Sequence, residues 1–240
     1  MAEFKLNIFQ TWDEMEVLKM ECSLIKEMLG GELRGELAEA GVYEGGTAEI
    51  IRKAIPNTPL HLFDTFTGLP NTIVKGLDAD SYYEGHMQVD LEKVKFYFRQ
   101  YENVFIYPGF IPDTLEAVKD RGFAFVHIDL DIYQSTRDAL MFFYPRMEIG
   151  GSILIHDYPA HVGVTKAVDE LMDGVGTHQL GKWKAWQKDP MITSGFRQLI
   201  IRRRVPGLKL NLTLPPPPKY PQVFLEDKEV EDIIDKHGKP

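Results

Sequence analysis

The chain has 240 residues, enough for one large domain with a substantial core or at most two small ones. Hydrophobic residues make up 44% and charged residues 26%, and the formal net charge is −9, which disfavours general binding of nucleic acid or of an anionic membrane. The one cysteine, Cys22, excludes an intrachain disulfide and a zinc site of clustered cysteines.

Thr11-Trp12-Asp13-Glu14 has the pattern of a capping box. Behind it Met15, Leu18, Cys22, Ile25 and Leu29 recur at spacings of three and four, the apolar face of a helix that Gly30-Gly31 ends. Cys22 reads as a core residue of that face. From residue 36 short apolar runs alternate with helical stretches. Strands are expected at 36–40, 60–63, 104–107, 123–128, 152–155 and 198–201. Helices are expected at 47–55, 91–101, 112–120, 135–147 and 164–172. Residues 65–89 are a long polar stretch, in which Tyr82, Tyr83 and His86 read equally as a substrate lid or as a plain loop.

Strand and helix in alternation imply a parallel sheet with right-handed crossovers and helices on both faces. Ligands of such sheets bind at the carboxyl ends of the strands, which here are Gly41, Asp64, Gly109, Asp129 and Asp157. After residue 205 the composition shifts. Pro215 to Pro218 favours an extended conformer, and Leu225 to Lys236 suits a short terminal helix. The chain thus divides into a helical cap (1–34), a ligand-binding domain (35–204) and a proline-rich tail (205–240) laid over the domain or a neighbouring subunit. Arg202-Arg203-Arg204 is the only basic run, and it reads as a solvated strand end.

The first strand–turn–helix, Glu39-Ala40-Gly41-Val42-Tyr43-Glu44-Gly45-Gly46-Thr47, is not G-x-G-x-x-G, which disfavours a dinucleotide. The turn lets backbone approach a small zwitterion, and Glu39 can meet its ammonium group. Asp64, ending the second strand, can accept both ribose hydroxyls of a nucleoside. Together these features make S-adenosylmethionine the leading ligand.

Four blocks carry a family resemblance. They are Leu37 to Gly46; Asp64-Thr65-Phe66-Thr67-Gly68-Leu69-Pro70; Tyr107 to Leu115; and His127-Ile128-Asp129-Leu130-Asp131-Ile132-Tyr133-Gln134-Ser135-Thr136. With Tyr144-Pro145, Gly150-Gly151, His156-Asp157-Tyr158 and Ala167-Val168-Asp169, they resemble the macrocin O-methyltransferase family of class I methyltransferases, from about residue 12 to about residue 203. The resemblance implies a Rossmann-like α/β fold, with a seven-stranded, mostly parallel sheet whose last strand is antiparallel. It also implies S-adenosylmethionine on Glu39, Gly41, Tyr43, Gly45, Asp64, Gly109 and Phe110, a divalent cation that is usually magnesium, and methylation of sugar hydroxyls of natural products. The cation ligands would be Asp129 and an acidic pair after the fifth strand, here His156-Asp157. Asp129 and His156 would carry the chemistry.

His156 departs from the family's acidic pair. Three readings follow: ligation of a softer metal, a general base beside a weaker magnesium site, or loss of the metal. His127 reads as a satisfied core histidine, His161 as a substrate contact or an exposed residue, and Trp183 and Trp186 as packing residues. Two other functions compete: a cephalosporin-hydroxylase-like enzyme of the same fold, and a protein that binds S-adenosylmethionine without catalysis. The apolar face of the first helix and the proline-rich tail both need cover, which points to a homo-oligomer. No signal-type N-terminal run and no membrane-length apolar stretch is present, so a soluble cytoplasmic protein with a small-molecule substrate is expected.

Overall fold

A computed structural model of the chain describes residues 6, 8, 10–70, 78, 83–172, 197–203 and, for the backbone alone, 222–225. Five strands run parallel: β1 (Glu36–Ala40), β2 (Leu60–Asp64), β3 (Val104–Pro108), β4 (Phe123–Ile128) and β5 (Met147–His156). β6 (Gln198–Arg203) runs antiparallel to β5, and β7 (Gln222–Leu225) pairs in parallel with β6. The strand order is β3-β2-β1-β4-β5-β6-β7. It reverses direction between β1 and β4, so the carboxyl ends of these two strands open the crevice where doubly wound sheets bind ligands.

Side chains alternate across each strand and feed two cores. Phe125 and Leu154 face one side, with Val17, Leu18, Ile25, Ile51 and Val94 from α1 (Trp12–Leu29), α2 (Gly46–Ala54) and α3 (Leu91–Phe98). Val126 and Ile153 face the other, with Leu140, Phe143, Val164 and Val168 from α4 (Tyr133–Phe143) and α5 (Val162–Met172). β4 is buried along its whole length, which is why its sequence carries so few polar residues.

The expected elements are present with shifted ends. α3 stops at Phe98, and residues 113–118 form a 3-10 helix. α4 ends at Phe143, where a 3-10 turn takes Pro145 into its first positions, since proline has no N–H to continue the ladder. β5 begins at Met147 and passes through Gly150 at a φ of +91°, with a register shift against β4 between Phe123 and Phe125. The tail contributes β7 at the sheet edge. The remainder of 205–240, with its proline run and expected terminal helix, lies outside the described residues.

α1 begins as its capping box requires. The Thr11 N–H donates to Glu14 Oε2 at 2.7 Å, and the Glu14 N–H donates to Thr11 Oγ1 at 3.4 Å. Its buried face corrects the apolar stripe. Leu18, Cys22 and Ile25 are buried as expected, but Glu14, Val17, Glu21 and Leu24 join them, while Met15 and Leu29 are half-buried. Glu21 is satisfied by Arg202, which donates to its two oxygens at 2.6 and 2.8 Å, and by the Ser152 hydroxyl at 2.5 Å. Arg202 is therefore a buried partner of α1 and not a solvated strand end. The face of α1 covers the chain's own sheet, so it no longer argues for a second subunit. Among the described residues, no helix is long and apolar enough to cross a membrane.

Candidate functional site

The carboxyl ends of the strands surround a cavity of about 260 Å³. On one side is the turn after β1. Gly41 has a φ of +89°, and a Cβ there would stand 1.8 Å from the Asp129 carbonyl oxygen. Only glycine allows both this backbone angle and this approach of β1 to β4. Asp64, at the end of β2, organises the turn. Its Oδ2 accepts the N–H groups of Val42 and Tyr43, each at 2.8 Å, and its Oδ1 accepts that of Phe66 at 2.7 Å. Burial raises the Asp64 pKa, against these three N–H groups, and the Asp129 charge adds to the rise. A carboxylate offers about four acceptor positions. Three are taken by backbone, so the expected two-oxygen contact to ribose is replaced by a turn organiser with one position left.

On the other side are the ends of β4 and β5. Asp129 follows β4, His156 ends β5, and Asp157 follows it at a φ of +63°. His156 Nδ1 lies 3.1 Å from Asp129 Oδ1 and 3.2 Å from Asp157 Oδ1, and Nε2 lies 3.4 Å from Glu14 Oε2. Gln10 Nε2 donates to Asp129 Oδ2 at 2.5 Å. Arg197 reaches both Glu14 Oε1 at 3.2 Å and Asp157 Oδ1 at 3.3 Å. His161 Nδ1 is 3.5 Å from Asp157 Oδ2. Burial pulls His156 towards its neutral form, but Asp129, Asp157 and Glu14 override it and raise its pKa well above 6.5. Burial likewise pushes Asp129 up, yet the adjacent His156 charge holds it down at about 2.

The low pKa of Asp129 runs against one expected role, since a carboxyl held at about 2 is a poor general base near neutral pH. The position of Asp129, His156 and Asp157 as a ligand cluster is unaffected.

Gly41, Tyr43, Asp64, Gly109 and Phe110 all line the cavity. Glu39 does not. It is fully buried beneath the turn, with Oε1 2.7 Å from Nδ1 of the equally buried His127. Burial raises its pKa, opposed by His127 and Thr47. The expected contact with a ligand ammonium group gives way to a core pair, and His127 is a core histidine paired through Nδ1 alone, its Nε2 having no hydrogen bond among the described residues. Gly45 is the αL cap of α2, packed on Phe98, and shapes the turn without lining the cavity. Cys22 is a core residue, its thiol pKa raised by burial. His161 is half-buried and lines the cavity, as do Asp131, Gln10 and Arg197. Tyr83 is exposed and stacked on His86 at 4.6 Å, while Tyr82, Trp183 and Trp186 lie outside the described residues. The sequence reading missed Gln10, Glu14 and Arg197. Glu14 carried a visible signal, but one that its helix cap fully explained.

The cluster suits a divalent cation. Asp129, His156 and Asp157 each offer one ligand atom, all within 4.8 Å of one another. Asp157 Oδ1 and both ring nitrogens of His156 are buried and make no hydrogen bond among the described residues, despite the short separation of Oδ1 from Nδ1. Buried polar atoms without hydrogen bonds call for an explanation, and an ion is one. Two carboxylates and an imidazole suit manganese, iron, cobalt, nickel or zinc better than magnesium, which prefers oxygen ligands alone.

The sequence model of the Macrocin-O-methyltransferase (TylF) family matches residues 15–179, a span holding both the Gly41 turn and the cluster. The chain belongs to this family. It is similar to a demethyldecarbamoylnovobiocin O-methyltransferase of Streptomyces niveus, 29% identical over 160 residues that cover 61% of this chain and 61% of that protein. It is also similar to an 8-demethyl-8-(2,3-dimethoxy-alpha-L-rhamnosyl)-tetracenomycin-C 4'-O-methyltransferase of Streptomyces olivaceus, 29% identical over 183 residues, 63% of this chain and 68% of that one. The match thus spans less than two thirds of the first relative's length. Among solved structures, the O-methyltransferase NovP superposes with a TM-score of 0.58 at 26% identity, covering 67% of this chain and 71% of that chain. The Rossmann-like fold of class I methyltransferases is therefore the fold of this family member.

Proposed function

We propose that the chain is an S-adenosylmethionine-dependent O-methyltransferase acting on a hydroxyl, in particular a sugar hydroxyl, of a small natural product, with a divalent cation held by Asp129, His156 and Asp157. The observation that carries the reading is the meeting, in one cavity, of the Gly41–Asp64 turn with this cluster. S-adenosylmethionine supplies the methyl group as a sulfonium, and a cation at the cluster would lower the pKa of a hydroxyl bound there. The chain's own groups do the remainder. Gly41 lets the turn come close, Tyr43, Gly109 and Phe110 line the cofactor side, and Asp64 fixes the turn and keeps one acceptor for a ribose hydroxyl. Asp129 is given to the cation and is a weak base, so the hydroxyl proton falls to His161. It lines the cavity with Asp157 beside its Nδ1, and imidazole is the side-chain type suited to proton transfer near neutral pH.

The names of the two relatives and the family membership support the reaction class. The imidazole in the cluster supports a softer cation than magnesium. The test is a mass-spectrometric screen with S-adenosylmethionine over glycosylated and phenolic natural products. A gain of a single methyl group on a glycosylated compound is expected. Binding of S-adenosylmethionine with no methylated product from any class would overturn the enzyme reading in favour of a binding protein.

A further inference from the structure

Glu14 does two things at once. It is the third residue of α1, where its carboxylate closes the capping box on the Thr11 N–H at 2.7 Å. It is also almost completely buried, with Oε2 3.4 Å from His156 Nε2 and Oε1 3.2 Å from Arg197 Nε. An exposed cap glutamate would serve the helix equally well. Burial of this one is explained by what it faces.

His156 has two ring nitrogens with separate surroundings. Nδ1 lies among the candidate ligand oxygens of Asp129 and Asp157, while Nε2 makes no hydrogen bond among the described residues and has Glu14 Oε2 as its facing carboxylate, at ion-pair distance. A histidine that ligates a metal through one nitrogen commonly directs the N–H of the other at a carboxylate, which fixes the tautomer and the ring plane. We propose that Glu14 is the positioning residue of the cation site: it holds the Nε2–H of His156, so that Nδ1 presents its lone pair together with Asp129 Oδ1 and Asp157 Oδ1. The inference rests on the proposed cation at this cluster and adds what orients it.

The helix is fixed in turn at Glu21, two helical turns on, by Arg202 and Ser152. Arg197, just before β6, holds the other Glu14 oxygen and also reaches Asp157 at 3.3 Å. The orientation of His156 is thereby tied to the docking of α1 and to the start of β6. Neither element supplies a ligand.

The test is isothermal titration of chelator-treated protein with nickel and with manganese, on the full chain and on Glu14→Gln, His156→Asp and the double variant. Glutamine keeps the length and an acceptor for the Thr11 N–H, but it loses the charge that holds Nε2–H. Glu14→Gln is expected to weaken nickel binding by about 10–100-fold. In the His156→Asp background, which has no imidazole to orient, the same substitution should change affinity by less than about threefold. An equal loss in both backgrounds would show a merely structural role and overturn the proposal, as would undiminished nickel affinity in folded Glu14→Gln. If Glu14→Gln does not fold, Glu14→Asp retains the charge at shorter reach, and full nickel affinity in that variant overturns the proposal. Failure of the parent chain to bind either ion would instead remove the cation reading on which the proposal rests.

Discussion

The two sides of the cavity are built on opposite principles. Around Asp64 the carboxylate is bonded to the chain itself, three backbone N–H groups filling three of its positions. Around His156, three carboxylates crowd one imidazole, and both His156 ring nitrogens and Asp157 Oδ1 are buried without a hydrogen bond among the described residues. The first side is a finished shape that receives a ligand by steric fit. The second is a concentration of charge that a ligand would complete. Cofactor binding should therefore be sensitive to backbone geometry, and catalysis to charge and cations.

The largest expected effect breaks the first side. Gly41→Ala puts a Cβ into the Asp129 backbone at an unfavourable φ, and S-adenosylmethionine binding should fall more than 100-fold, measured by titration calorimetry on protein shown to be folded. Retained affinity would mean that the turn does not form the cofactor site.

His161→Gln probes the second side while keeping Asp129, His156 and Asp157 in place. The catalytic rate should fall about 10²–10⁴-fold, with unchanged S-adenosylmethionine affinity. An undiminished rate would assign the proton acceptor elsewhere.

Asp64→Ala removes three charge-assisted bonds to the turn together with the remaining acceptor. Affinity for S-adenosylmethionine should drop at least tenfold, since each hydrogen bond to a charged group contributes about 1.5–3 kcal/mol. Asp64→Asn, which keeps acceptor capacity at one oxygen, should lose less.

How much of this was legible beforehand follows the same division. The strand-end glycines and aspartates, the capping box and the alternation of β and α are local signals, and they stand in the structure at the expected positions, with Asp64 in a different role from the one read. What stayed hidden depends on pairs far apart in sequence. Glu14 meets Arg197, and Glu21 meets Arg202, so two acidic residues on α1 are buried where an apolar stripe predicts exposure. Glu39 looks like a ligand contact until His127, 88 residues later, is seen to occupy it. Periodicity registers which residues share a helix face, but not which distant charge will satisfy one of them.

A smaller effect concerns stability. Burial raises the Glu14 pKa, but the facing His156 and the hydrogen bond from the Thr11 N–H outweigh it and hold it at about 2, against an ordinary 4.5. A depressed carboxyl adds stability above its unfolded pKa and loses it as pH falls through the folded one. Stability should therefore decline between about pH 4.5 and 2, by on the order of 1–3 kcal/mol from this group. Thermal unfolding across that range should show a shallower decline for Glu14→Gln. Parallel curves for the two proteins would deny the interaction.

The most direct measurement of the central claim is methyl transfer by chelator-treated protein, using a glycosylated acceptor that gains a methyl group in the screen, with magnesium, manganese or nickel added back. The imidazole in the cluster predicts that activity is lost on chelation and returns more fully with manganese or nickel than with magnesium. Full activity after chelation with nothing added would contradict it.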